Sequence, residues 1–157
     1  MQYTIETKDG DLRAKCIEEL ARKRGLDEIE ALVIDNRLLT LIKIISTGLG
    51  EDVNLNIVPG DRWRYNAETN EIIFPVELLL TSSPEEIIGF SAHEAGHRQI
   101  SRHNLRKAAF KRFFSKEYLR LLLNAFEDSR EDNRLISVYK GIKLNLDITY
   151  EDLLPPN

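Results

Sequence analysis

The sequence predicts an α+β fold, mostly helical, with a small β-sheet or hairpin packed on one central helix. Three observations carry this expectation. Apolar residues recur at helical spacing over most of the chain, one central region switches to alternating spacing, and Ser83-Pro84-Glu85-Glu86 marks an abrupt helix start soon after that region. At 157 residues the chain has the length of one domain that can bury a real core. Its 42% hydrophobic and 31% charged residues are ordinary for a soluble globular protein. We therefore expect a single domain over 1–157, built from N-terminal helices (1–50), a small sheet (53–75) and a helical region (84–140).

Each element has its own signal. Residues 11–24 carry Leu12, Cys16, Ile17 and Leu20 at helical spacing, and Gly25 ends that run. Residues 27–47 read as a second helix dominated by Leu32, Leu38, Leu39, Leu41, Ile42 and Ile45, stopped by Gly48 and Gly50. VNLNIV (53–58) alternates apolar and polar side chains, as a half-buried strand does, and Pro59-Gly60 is expected to break it. RWRYN (62–66) and EIIFP (71–75) flank AETN in the pattern of a hairpin. Pro75 is expected to end its strand or to set it at a sheet edge, where it would be open to pairing with an extended substrate. At the next helix Ser83 can cap, Pro84 suits the first helical position, and Glu86 reaches back to the cap. Asn104 is a candidate cap for a short helix over 105–114, and Ser115 for a long one that reaches Tyr139 and ends at Gly141. The tail EDLLPPN reads as a linker (150–157) toward a further domain.

Composition narrows the function classes. A net charge of −4 does not suggest wholesale nucleic-acid binding. One cysteine, Cys16, makes no internal disulfide and is compatible with a reducing compartment. The chain opens on no basic and apolar leader, and no apolar run approaches the roughly 20 residues a bilayer span needs. The expectation is a cytoplasmic protein with no membrane partner.

All three histidines fall within HEAGHRQISRH (93–103). Residues four apart on a helix differ by about 40° and one turn of rise, so His93 and His97 project from one face and can share an ion. Neutral imidazole is a common zinc ligand. Glu94, about 100° from His93, is poorly placed as a ligand and well placed as a base toward a water on that ion. The chemistry expected is zinc-assisted hydrolysis of a peptide or protein substrate, with Glu94 as general base.

Two protein ligands are too few, so a third is needed. His103 is one candidate. The stretch resembles the metzincin pattern H-E-x-x-H-x-x-G-x-x-H at every fixed position but the glycine, where this chain has Ile100. A β-branched side chain disfavours the positive-φ bend that returns a third histidine to the metal. If the helix continues instead, His103 lies about 9 Å beyond His97 and to one side. No methionine follows either, since the chain's single Met is Met1. The other candidate region is NAFEDSREDNR (124–134), whose residues from Glu127 to Arg134 include no hydrophobic side chain. A turn of helix that is polar on every side needs partners, and a metal site supplies them. Helical periodicity does not choose among Glu127, Asp128 and Glu131.

H-E-x-x-H followed about 30 residues later by a glutamate on a second helix resembles the gluzincin arrangement. More narrowly, His93, Glu94 and His97 with Asn124, Glu127, Asp128 and Arg130 downstream resemble the metallopeptidase domains that precede von Willebrand A-like domains in many microbial proteins. The hairpin before the helix fits that family as well, and the resemblance covers about residues 60–135. It implies a zincin-like fold, zinc held by His93, His97 and Glu127, Glu94 as base, and Asp128 holding the remaining N–H of a ligand histidine. Candidates for a donor to the developing oxyanion are Tyr139, Tyr150, His103 and Arg130.

Two other function classes compete. One is a metal-stabilised binding or regulatory module without hydrolysis, working with a partner protein or further domain. The other is a nucleic-acid-associated domain. Arg98, Arg102, Arg106, Lys107, Lys111, Arg112 and Lys116 form a stretch with no acidic residue, interleaved with Phe110, Phe113 and Phe114.

Overall fold

The computed structural model describes residues 7–25, 36–101 and 116–153. In chain order these form α1 (Thr7–Arg24), α2 (Asn36–Leu49), β1 (Asn56–Gly60), β2 (Arg64–Asn66), β3 (Glu71–Pro75), a 3-10 turn (Val76–Leu80) and α3 (Pro84–Gly96). A π-helical turn (His97–Ser101), α4 (Glu117–Val138), a second 3-10 turn (Lys140–Ile142) and α5 (Lys143–Leu153) follow. The architecture is α+β, mostly helical, with one small sheet, as the sequence predicts. No described helix is long and apolar enough to cross a membrane.

α3 organises the rest. Its start is the expected capping box: Ser83 Oγ accepts from the Glu86 N–H at 3.2 Å, and Glu86 Oε2 accepts from the Ser83 N–H. Reciprocal capping satisfies two of the N–H groups that a helix start leaves unpaired. Ile87, Gly89, Ser91, Ala92, Glu94, Ala95 and Gly96 are all buried, so α3 is enclosed on more than one face. On one side lies a core of Leu20, Ile42, Ile72, Phe74, Val76 and Ile87, drawn from α1, α2, the sheet, the 3-10 turn after it and α3. On another, Ala92 packs with Leu135, Ile142 and Leu146 from α4 and the chain that follows it.

The sheet departs from expectation in ways that matter for the site. Its order is β1-β3-β2, with β1 parallel and β2 antiparallel to β3. EIIFP is therefore the central strand and not an edge. Pro59-Gly60 does not break the first strand, which runs from Asn56 through Gly60. Among the described elements β1 pairs on one side only, so the N–H that proline lacks is not missed. Gly60 is also needed there, since a Cβ would lie 2.4 Å from Ile73 Cγ2. Val53, expected in the strand, lies in the turn before it and is 87% exposed. The AETN hairpin is present and closes with Asn70 at φ 55.

The long helix ends about where expected, and a further helix follows it. α4 stops at Val138, and the chain turns through Tyr139 into a 3-10 turn that contains Gly141. Residues 143–153, the last four of which fall in the stretch expected as a linker, form α5 instead. The part of the second expected helix before Asn36, the short helix over 105–114 and the Ser115 cap lie outside the described residues.

Candidate metal centre

His93 on α3 and His97, the residue that caps it, stand one turn apart on the side turned toward α4, with ring centroids 4.7 Å apart. One potential ligand atom each from His93, His97 and Glu131 lie within 4.8 Å of one another. Glu131 comes from α4 and is fully buried. It reaches the imidazoles because residue 96 has no side chain: a Cβ on Gly96 would lie 2.2 Å from Glu131 Oε1. Glu131 Oε2 is 2.5 Å from His97 Nδ1, whereas Oε1 has no hydrogen-bond partner among the described residues. A buried carboxylate oxygen without a partner is costly. Two imidazoles and a carboxylate are the donor set of a catalytic zinc site, so the residues present fit the ion that the motif implies.

The sequence resemblance implies Glu127 as third ligand; in the structure Glu127 lines the same cleft as the histidines, but the ligand atoms that cluster are those of His93, His97 and Glu131. Both oxygens of Glu127 accept from Arg130, at 2.8 and 2.5 Å, and Ser101 Oγ donates to it at 2.5 Å. Glu127 and Glu131 are four apart on one face of α4, and Glu131 is the one level with the histidines. Ser101 Oγ also lies 3.0 Å from Glu131 Oε2, so Glu127 and Arg130 brace the hydroxyl that contacts Glu131. Asp128 Oδ1 is 3.5 Å from His97 Nε2. The closer carboxylate is one that sequence reading did not single out. Asp132 Oδ1 lies 3.0 Å from His93 Nδ1. The other oxygen of Asp132 accepts from the Tyr150 hydroxyl.

Three of the four oxyanion-donor candidates are engaged elsewhere. Arg130 is held by Glu127, Tyr150 by Asp132, and Tyr139 packs against the Ala92–Leu135 cluster. His103 lies outside the described residues. The chain from His97 to Ser101 stays helical with the wider π pitch, and Ile100 makes no positive-φ bend. Local π turns of this kind recur at functional sites.

Electrostatics follow from burial and crowding. Burial opposes a charge on His93, but the Asp132 hydrogen bond and the nearby Glu94, Asp132 and Glu131 carboxylates outweigh it and push its pKa up to about 9. His97 is raised in the same way, burial being outweighed by its Glu131 partner. Burial raises Glu131 and Glu94, with both histidines pulling the other way. For Asp132, burial is overcome by its His93 and Tyr150 partners, and its carboxyl is held low.

Glu94 is 5% exposed and accepts from the Tyr65 backbone N–H. It lines a cleft of about 380 Å³ with His93 and His97, between Trp63, Arg64 and Tyr65 on the sheet side and Asn124, Glu127 and Asp128 on α4. Trp63 is stacked on Phe90 of α3 at 5.6 Å, which fastens the sheet-side wall to the site helix. Arg98, next to His97, reaches the other way. It donates to Asp52 at 2.7 Å and Asn70 Oδ1 at 2.9 Å, while Asn70 Nδ2 donates to Asp52 and the Tyr65 hydroxyl donates to Asn70. The Asn70 amide and the Arg98 guanidinium hold Asp52 down at about 2. This network ties the end of the site helix to the β2–β3 turn. Against known proteins, no family model, curated protein or solved structure matches the chain.

Proposed function

We propose that this chain is a zinc-dependent peptidase with a zincin-like fold, in which His93, His97 and Glu131 hold the ion and Glu94 moves the proton. The observation that carries the reading is the convergence of those three ligand atoms within 4.8 Å, in the cleft that Glu94 also lines. Bound there, zinc would supply Lewis acidity toward a peptide carbonyl and would acidify a water molecule. The remaining work falls to the chain itself. Glu94 is about 100° around the helix from His93, so its carboxylate stands beside the ligand set rather than in it. Burial lifts its pKa above the ordinary carboxylate range, which suits a group that takes a proton from water and returns it to the leaving amine. The Tyr65 N–H holds that carboxylate in place. The strand beside the cleft is β2, bonded to β3 on one side only among the described elements. An extended peptide is the substrate class that fits such an edge.

The test is hydrolysis of casein or a peptide library by the full chain with zinc, compared with Glu94→Gln. Zinc-dependent cleavage that falls roughly 100-fold or more in Glu94→Gln supports the proposal. Equal activity in both overturns it.

A metal-stabilised binding module is the second reading. It is favoured by the division of the ligands between α3 and α4, because an ion there would tie the two helices together whether or not hydrolysis follows. It predicts bound zinc, lower thermal stability in His93→Ala, and no cleavage of any peptide. A nucleic-acid surface over 98–116 has less support. Arg98 is engaged by Asp52 and Asn70, and residues 102–115 lie outside the described residues.

A further inference from the structure

We infer that Tyr150 is a positioning residue for the metal centre: through Asp132 it fixes the His93 imidazole, so that α5 sets how tightly the ion is held. The inference rests on the metal reading above.

The hydroxyl is delivered to Asp132 by a docked helix, not by an incidental surface contact. α5 lies directly on the backbone of α3 at Gly89, where a Cβ would meet the Asn145 carbonyl oxygen at 2.4 Å and Thr149 Cγ2 at 2.5 Å. Asn145 Nδ2 donates to the Glu85 carbonyl at 3.2 Å, and Leu146 and Thr149 are buried. One turn of α5 is thus seated on α3, and Tyr150 follows immediately. Its ring stands edge-on to His93, with centroids 6.5 Å apart.

The chemistry gives the direction of the effect. The terminal torsion of an aspartate is broad, so one hydrogen bond leaves its carboxylate plane poorly defined. Asp132 has two: Oδ1 faces His93 Nδ1 and Oδ2 takes the Tyr150 hydroxyl. Asp132 is 6% exposed, so solvent is a poor replacement for a lost partner. Removing the hydroxyl leaves a nearly buried oxygen unsatisfied, and the carboxylate turns away from His93 to find another donor. An opposing effect exists, since a phenol donor draws charge from the carboxylate and weakens its pull on the His93 N–H. Orientation wins here, because a ligand that points away from the ion contributes nothing however basic it is.

The experiment measures zinc affinity by chelator competition on the full chain, at one pH, for the parent, Tyr150→Phe, Asp132→Asn and the double variant. Cobalt(II) absorption reports on ligand geometry in each. Tyr150 is 42% exposed, so Phe keeps the ring and removes only the hydroxyl; thermal unfolding of the zinc-free proteins confirms folding. Tyr118→Phe, on a residue 64% exposed, is the control. The expected result is about tenfold weaker zinc binding in Tyr150→Phe, a loss of roughly 10–100-fold in Asp132→Asn, and no further loss on combining them. A shifted cobalt spectrum in Tyr150→Phe, with unfolding of the zinc-free protein unchanged, supports the same conclusion. Unchanged affinity in Tyr150→Phe, or an equal loss on the Asp132→Asn background, overturns the inference while leaving the metal site intact. A parent chain that binds no zinc overturns both.

Discussion

Gly96 and Glu131 occupy one another's space: a Cβ on the first would lie 2.2 Å from a carboxylate oxygen of the second. The glycine of HEAGH therefore has a job that the metal motif does not explain. It lets a carboxylate from α4 rest on the backbone of α3, level with the two histidines.

Gly96→Ala tests that job through its sign. In the middle of a helix, alanine is normally better than glycine by roughly 0.5–1 kcal/mol. Here the methyl group would force Glu131 or α4 outward, and overpacking of this kind costs about 1–3 kcal/mol. We expect urea unfolding to show net destabilisation and zinc titration to show loss of tight binding. A more stable protein with unchanged zinc affinity would mean that the two residues are not in contact.

The choice between the two glutamates is decided by metal content. Glu131→Gln is expected to lose stoichiometric zinc, because it removes the anionic oxygen beside His97. Glu127→Gln is expected to retain zinc at full stoichiometry. Its carboxylate serves Arg130 and Ser101, and Ser101 is what touches Glu131, so affinity should fall roughly tenfold at most. Metal analysis of the two purified variants checks this, and loss of zinc only in Glu127→Gln would reverse the assignment.

Much of the fold was legible because its signals are local. Ser83-Pro84-Glu85-Glu86 starts a helix by its own hydrogen bonds, and the spacing of His93 and His97 needs only helical geometry. The rest depended on relations the sequence does not carry. Glu127 and Glu131, like Asp128 and Asp132, are pairs four apart, and periodicity makes the members of each pair equivalent. Which member meets the histidines depends on how far α4 has slid along α3. Gly96 was a trace of that contact, since a bare position inside a buried helix signals close approach, but it does not name what approaches. Residues 143–153 were missed because Asn145, Asp147 and Thr149 dilute the apolar pattern, and α5 is held by docking on Gly89 rather than by a strong stripe of its own. Pro59 misled for a different reason: it breaks an interior strand, and β1 is bonded on one side only among the described elements.

The last prediction concerns pH, and zinc should offset the trend of the zinc-free chain. His93 is raised from an ordinary 6.5 to about 9 in the folded chain without metal, because its carboxylate neighbours outweigh burial. A raised histidine contributes stability that is fully present below its unfolded value and is lost as pH climbs through the folded one. His97 is raised too, and buried Glu94 and Glu131, also raised, add no stability that returns in this window. Asp132 and Glu127 are lowered, so their contributions change only in acid. The zinc-free protein should therefore become less stable between pH 6.5 and 9. Zinc bound there would compete with those same protons, and displacing one proton strengthens binding about tenfold per pH unit. Zinc-saturated protein should accordingly gain, relative to the zinc-free form, as pH rises. Urea midpoints with chelator and with excess zinc at the two ends of that range check both halves. In His93→Asn the zinc-free slope should flatten; a zinc-free parent that grows more stable toward pH 9 would contradict the assignment of charge at His93.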